Sequence, residues 1–152
     1  MHELLSELNS YHRQASDRAG DLSRLAKELA QNGEEHVRET ILEILATFNN
    51  EEEKAHHHNE ELIRKALIKT DAPIHRRVEQ IEKDHQAFGR ILSNILSQCQ
   101  DPKVTAAVLS SQINDYIDKY YDHLEAEETI FFPMAEKWLE DEHWEHVKKS
   151  WH

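Results

Sequence analysis

The chain has few of the residues that break helices and almost none of those that form crosslinks. Of its 152 residues, only three are glycine and three are proline. Sheet proteins need turn residues at short intervals, so an all-β fold is excluded. The single cysteine, Cys99, cannot form an internal disulfide, and this usage fits a reducing cytoplasm.

Long apolar runs are also missing. The chain has no stretch of about 18 consecutive apolar residues, which is the length that a helix needs to cross a bilayer. The segment from Met1 to Leu5 carries no basic region and no signal-peptide core. We therefore expect a cytoplasmic protein that is not bound to a membrane.

Positive charge is scarce relative to negative charge. Lysine and arginine number 18 against 30 acidic residues, so the net charge is -12. Nucleic acid is not an expected partner, because neutralising phosphates needs a basic surface. The length fits a single domain over residues 1–152, and the composition leaves any protein partner open.

Helical periodicity fills the chain between three breaks. The breaks fall at Asn32-Gly33, at Asp71-Ala72-Pro73 and at Asp101-Pro102, and they leave four long segments with apolar residues at helical spacing. Asp101 is predicted to cap the fourth helix, with Pro102 at its first position. Four long helices with short connections predict an all-α, up-down-up-down four-helix bundle.

Two features are expected near the end of the chain. Pro133 should end or kink the fourth helix, because proline lacks the backbone N–H that a helix interior needs. The stretch from Met134 to Trp151 is predicted to form one or two short amphipathic helices. Their tryptophans are expected to cap the bundle.

Histidine is abundant, with 12 copies scattered along the chain. Each of the four apolar stripes contains one histidine, and two of these histidines have a glutamate one turn later on the same face. Burying such groups without a partner would cost several kcal/mol for each ion, and a cation removes that cost. The residues concerned are His12, His56 with Glu60, His85, and His123 with Glu127. The other histidines without such a setting are read as surface residues: His2, His36, His75, His143, His146 and His152.

The heights of these residues along the bundle are mostly consistent. With helices meeting near Gln31 and Glu34, His12 and His56 lie level within one turn. Glu60 and His85 are about equally far along their helices from the second junction, so they also lie level. At the third junction His85 and His123 are mismatched by about 10 Å, unless the third helix runs on past Cys99 or the fourth starts late.

Four short motifs resemble those of the hemerythrin-like (HHE cation-binding) family. The strongest runs from His123 to Pro133 and reads HLEAEETIFFP. The run HHHNEE from His56 to Glu61 resembles the second-helix motif. The run EKDH from Glu82 to His85 resembles the third-helix motif, and YHR from Tyr11 to Arg13 carries the first-helix histidine. The order of these elements is specific as a set.

The resemblance implies a non-haem di-iron centre. Four histidines would be terminal ligands of two iron ions (Fe2+/Fe3+), two carboxylates would bridge them, and an oxo, hydroxo or water bridge is expected. The terminal ligands would be His12, His56, His85 and His123, and the bridging ligands Glu60 and Glu127. The resemblance further implies binding or sensing of a small ligand such as O2 or NO, or of iron itself; whether the protein is an enzyme stays open.

The chain departs from the oxygen-carrying members of the family on the third helix. Those proteins place two histidines one turn apart, whereas here Gly89 follows His85 by one turn and Ile81 precedes it. The chain is therefore closer to a four-histidine, two-glutamate branch. An open coordination position beside Gly89 could admit a small ligand.

The histidine run on the second helix leaves the register open. His56 shares a face with Leu45 and Ile63 and is preferred as the ligand. His57 is an alternative fifth histidine ligand at the edge of the site, and His58 lies on a partly apolar face. Glu52, one turn before His56, is either an acceptor for its imidazole N–H or a solvated residue.

Two other functions are compatible with the sequence. In a ferritin-like carboxylate oxidase, Glu53 with His56 and Glu82 with His85 would supply the spacing that such sites use, although two further glutamates would be needed. Alternatively, the chain is a metal-free interaction bundle whose histidines form a pH-sensitive core. It would then stay folded after chelation.

Overall fold

The chain folds into an all-α bundle, described by a computed structural model for residues 1–33 and 35–152. The predicted start of the second helix, near Glu34, lies outside the described residues. Within them the structure is helical, with seven α-helices and one π-helical turn. The elements are α1 (Glu3–Asn32), α2 (Glu35–Thr47), α3 (Glu51–Ile68), α4 (Arg76–Cys99), α5 (Ala106–Ala126), the π turn (Glu127–Phe131), α6 (Phe132–Trp138) and α7 (Asp141–Lys148).

Four arms form the bundle, and each packs against its two neighbours. The first arm is α1, the second α2 with α3, the third α4, and the fourth α5 with the π turn and α6. The first arm contacts the second and the fourth, and the third arm also contacts both. This is the predicted up-down-up-down arrangement. The short helices α6 and α7 pack on α3 at one end of the bundle, as expected for the C-terminal stretch.

The second arm is broken, so the prediction of one continuous second helix is wrong. Residues 48–50 lie between α2 and α3. Asn50 adopts an extended conformation, and its side chain accepts a hydrogen bond from the backbone N–H of Glu53. Asparagine favours such caps over helix interiors. Three acidic residues, Glu51 to Glu53, follow in the first turn, where the helix dipole stabilises them.

The fourth arm begins at Ala106, later than predicted. Thr105 is its cap and accepts from the backbone N–H of Val108, whereas Pro102 lies in the preceding turn. Asp101 accepts instead from the backbone N–H of Lys103. The late start shortens the stretch before His123, and this removes most of the height mismatch at the third junction.

Pro133 does not end the fourth arm. The π turn precedes it, and α6 continues through it to Trp138. Single π turns inside α-helices are often found at functional sites. Here the wider turn accompanies two consecutive buried side chains, Phe131 and Phe132, which an ordinary amphipathic stripe would not place together.

The apolar core is divided into two clusters. The upper cluster lies toward the α1–α2 end and includes Leu22, Leu45 and the predicted buried Cys99. The lower cluster lies toward α6 and α7 and includes Phe131 and Trp144. The histidine and glutamate residues of the four stripes fall between the two clusters along every arm. No helix in the described residues is both long and apolar enough to cross a bilayer.

The start of α5 can be tested at its cap. Changing Thr105 to alanine should lower the free energy of unfolding by about 1 kcal/mol, because the Val108 N–H loses its acceptor. Urea unfolding would measure this loss. The control Ser111→Ala, on an exposed position within α5, should change the free energy by less than about 0.5 kcal/mol. Equal effects of the two variants would contradict a cap at Thr105.

Candidate metal centre

Six side chains from the four arms meet between the two apolar clusters, and we call them the polar layer. They are His12 on α1, His56 and Glu60 on α3, His85 on α4, His123 on α5, and Glu127 at the start of the π turn. Every residue predicted for the site is among them. Their ligand atoms form two groups able to hold a metal ion, with all atoms of a group within 4.8 Å of one another.

The first group joins α1 to α3. The Nε2 atoms of His12 and His56 lie 3.1 Å apart. The Nε2 atom of His12 is also 3.1 Å from Oε1 of Glu60. His56 contacts the same carboxylate oxygen from one turn earlier on α3. The three donors therefore converge on one point inside the bundle.

The second group joins α3, α4 and the fourth arm. The Nε2 atoms of His85 and His123 lie 3.2 Å apart, and Nε2 of His85 is 3.0 Å from Oε2 of Glu60. His123 contacts Oε1 of Glu127, which is one turn later. Glu60 thus presents one oxygen to each group. A carboxylate in this position can bridge two ions.

The two glutamates are buried without enough hydrogen-bond donors. Glu60 and Glu127 have no exposed surface. Oε2 of Glu60 and both oxygens of Glu127 lack a hydrogen bond of acceptable geometry, although histidine nitrogens lie beside them. Buried carboxylates in this condition cost several kcal/mol. The donor set therefore fits a cation, which would satisfy these oxygens.

Two of the histidines have a carboxylate behind the ring, and this carboxylate orients the ring for metal binding. Nδ1 of His12 lies 3.1 Å from Glu128, and Nδ1 of His123 lies 3.1 Å from Asp84. A carboxylate accepts, so Nδ1 carries the proton, and a neutral ring then directs the Nε2 lone pair inward. Metal-binding histidines commonly have this arrangement. Neither acceptor was predicted from the sequence, although each directly neighbours a predicted ligand along the chain.

Comparison with known proteins gives the same reading. The family model for the hemerythrin HHE cation-binding domain matches residues 3–135. The chain belongs to the hemerythrin HHE family. No curated protein and no solved structure matched the chain significantly. The match spans all four arms and therefore includes the whole polar layer.

In the polar layer of this HHE domain, the charge of each buried carboxylate changes the pKa of the neighbouring histidines. Burial alone would lower the pKa of His12, but its hydrogen bond to Glu60 and the charge of Glu127 outweigh burial and raise the pKa to about 9. Burial also opposes the charge on His123, yet Glu127 and Asp84 raise its pKa to about 10. Burial lowers the pKa of His85. Without a cation, protons on His12 and His123 offset the carboxylates, so metal binding should release protons.

A second buried network lies against the ligands of the HHE site. Glu53, which is 2% exposed, accepts from the hydroxyls of Tyr11 and Tyr120 and lies 3.0 Å from Nε2 of His57. Burial would raise the pKa of Glu53, but His57 and Tyr11 hold it below its usual value. The Tyr11 ring stacks on His56, so the network supports a predicted ligand.

His57 belongs to neither metal group, although it lies beside one of them. Its ring stacks on His85 with centroids 3.9 Å apart, while its Nε2 faces Glu53. His58 lies outside them as well, with its Nε2 3.0 Å from the carbonyl of Ser150. The geometry favours His56 as the ligand in the histidine run. Glu52 is exposed, so Glu53, not Glu52, is the buried acid of this turn.

The remaining histidines are exposed or partly buried, and several have structural roles. The side chains of His2 and His75 cap α1 and α4 by accepting from backbone N–H groups. His143 accepts from the backbone N–H of Glu140 at the start of α7. The full set of histidines outside the polar layer and the histidine run is His2, His36, His75, His143, His146 and His152.

The orienting carboxylates can be tested by neutral replacements. Asp84→Asn and Glu128→Gln should each weaken metal binding by about 10- to 100-fold, because the histidine behind each carboxylate loses its fixed orientation. Competition with a chelator measures the affinity. Glu125→Gln, an exposed change on α5, should leave it unaltered. Equal affinity in all four proteins would contradict the orienting role.

The Glu53 network predicts a contrast between neighbouring residues. Glu53→Gln should lower the free energy of unfolding by roughly 1–3 kcal/mol, because an amide cannot accept all the hydrogen bonds of a buried carboxylate. Glu52→Gln should change it by less than about 0.5 kcal/mol. Urea denaturation of the two variants measures the difference. A larger loss at Glu52 would refute the burial pattern.

Proposed function

We propose that this chain is a non-haem di-iron protein whose polar layer holds two iron ions. Glu60 carries the proposal, because its Oε1 faces His12 and His56 while its Oε2 faces His85. A single-ion site has no need for a fully buried carboxylate divided between two histidine groups. Glu127 is the second bridging ligand, and its two oxygens lack hydrogen bonds.

The chemistry of the donors favours iron. Four imidazole nitrogens and two carboxylates, with no thiolate, suit iron, manganese or zinc. Paired iron sites in helix bundles use carboxylates and histidines from facing helices. Each ion would have two histidines and the two bridging glutamates as its protein ligands, which would leave positions free for other ligands.

The proposed activity is binding or sensing of a small ligand such as O2 or NO. A bound iron pair supplies reversible electron transfer to such a ligand. The chain orients His12 and His123 through Glu128 and Asp84, and an apolar cluster lies on each side of the layer.

A ferritin-like carboxylate oxidase is less well supported. Glu53 faces two tyrosines and His57, and Glu82 pairs with Arg64. Neither glutamate belongs to the metal groups found among residues 1–33 and 35–152. The carboxylates required for that alternative therefore point elsewhere.

Metal content tests the proposal directly. Protein produced with iron and purified without a chelating tag should contain about two iron ions per chain, as expected for bridged pairs in bundles. Glu60→Ala should lose most of this iron because both groups share that carboxylate. Glu52→Ala should retain it. Full iron content in Glu60→Ala would instead support the ferritin-like alternative.

Removal of metal should also weaken the fold. A chelator should lower the melting temperature, since the buried carboxylates lose the cation that offsets their desolvation. Thermal unfolding followed by circular dichroism, before and after chelation, measures the shift. An unchanged melting temperature together with less than half a metal ion per chain would favour the metal-free interaction bundle.

A further inference from the structure

A small cavity lies beside one end of the polar layer. Its volume is about 160 Å³, and its walls include His57 and His85 together with the rings of Phe88, Tyr116 and Tyr120. The aromatic residues on the walls are buried. At its outer side lie the exposed residues Asn49, Lys54 and Gly89. The cavity therefore connects solvent with the neighbourhood of the His85 imidazole.

The two metal groups differ in what covers them. His12 and His56 are overlaid by the rings of Phe132 and Tyr11. A wider groove of about 320 Å³ borders His56, but its walls include exposed polar residues such as Glu7 and Gln14. On the other side, the only ring stacked face to face on His85 among the described residues is His57, which itself lines the small cavity.

The cavity limits the size and charge of what can enter. Cavities of about 150 Å³ hold xenon or benzene, whereas sites for larger metabolites are about 300–1,000 Å³. The buried Glu53 is part of the inner wall and disfavours anions there, whereas Lys54 at the outer side is exposed to solvent. Aromatic walls offer little to a hydrated ion, so a neutral ligand of a few atoms is favoured.

We propose that the cavity beside Gly89 delivers a small neutral ligand of two or three heavy atoms to the metal held by His85 and His123. The two metal groups would then differ in how readily a ligand from solvent reaches them. This inference rests on the proposed di-iron function and adds the entry route and the binding ion.

Gly89 offers a way to close the cavity without disturbing the fold. A Cβ atom placed on Gly89 meets no heavy atom within 4 Å, and its backbone is not left-handed. Replacement of a helical glycine favours the helix. The series Gly89→Ala, Gly89→Leu and Gly89→Phe should therefore fold while filling the entrance progressively.

Two variants serve as matched controls. Gln86→Leu adds an apolar side chain to an exposed position of α4 away from the cavity. Gln14→Leu adds the same side chain to the groove beside His56. The first tests for a general effect on α4, and the second tests entry at the other metal.

The probe is nitric oxide added to the reduced, iron-loaded protein. The rate of the absorption change should fall as residue 89 becomes larger, by roughly tenfold for Gly89→Phe, while iron content stays that of the unmodified protein. Gln86→Leu and Gln14→Leu should react at the unmodified rate. Crystals of metal-free protein under xenon pressure should show xenon in the cavity, and Gly89→Phe crystals should not.

Different failures have different meanings. Slowing by Gln14→Leu, without slowing by the Gly89 series, would place entry at His56 and overturn the inference. Unchanged rates in all variants would also overturn it, while leaving the di-iron centre intact. Unmodified protein without iron, or with iron that does not respond to nitric oxide, would refute the proposed function, and the inference would fall with it.

Discussion

The burial of two carboxylates among four imidazoles is the constraint on which the rest of the structure depends. Glu60 and Glu127 have no exposed surface, and three of their four oxygens lack hydrogen bonds. Such a layer is costly unless opposite charge compensates it. Protons on His12 and His123 can supply that charge, and so can a bound cation. The bundle is organised to bring these groups to one height.

Several irregularities of the helices lie close to the residues of the layer. The late start of α5 at Ala106 brings His123 level with His85. The π turn begins at Glu127, and Glu128 in the same turn lies 3.1 Å from Nδ1 of His12. The break before α3 gives this helix its own cap at Asn50. The apolar core is then packed as two clusters, one on each side of the layer.

The sequence predicted the bundle and all six residues of the layer because both depend on periodicity, which is local. A histidine on an apolar stripe, with a glutamate one turn later, reports its face directly. The break at Asn50 and the start at Ala106 were missed because a cap contributes only about 1 kcal/mol, and several residues near each helix start could supply one. The contacts of Asp84 and Glu128, and those of Glu53 with Tyr11 and Tyr120, were missed because the partners lie on other arms. Packing across the bundle decides those contacts.

Anomalous diffraction at the iron edge, from crystals of the iron-loaded protein, tests the central claim most directly. Two peaks are expected within the polar layer, one beside His12 and His56 and the other beside His85 and His123. Glu60 and Glu127 should each contact both. A single peak, or peaks ligated by Glu53 or Glu82, would contradict a centre bridged by Glu60.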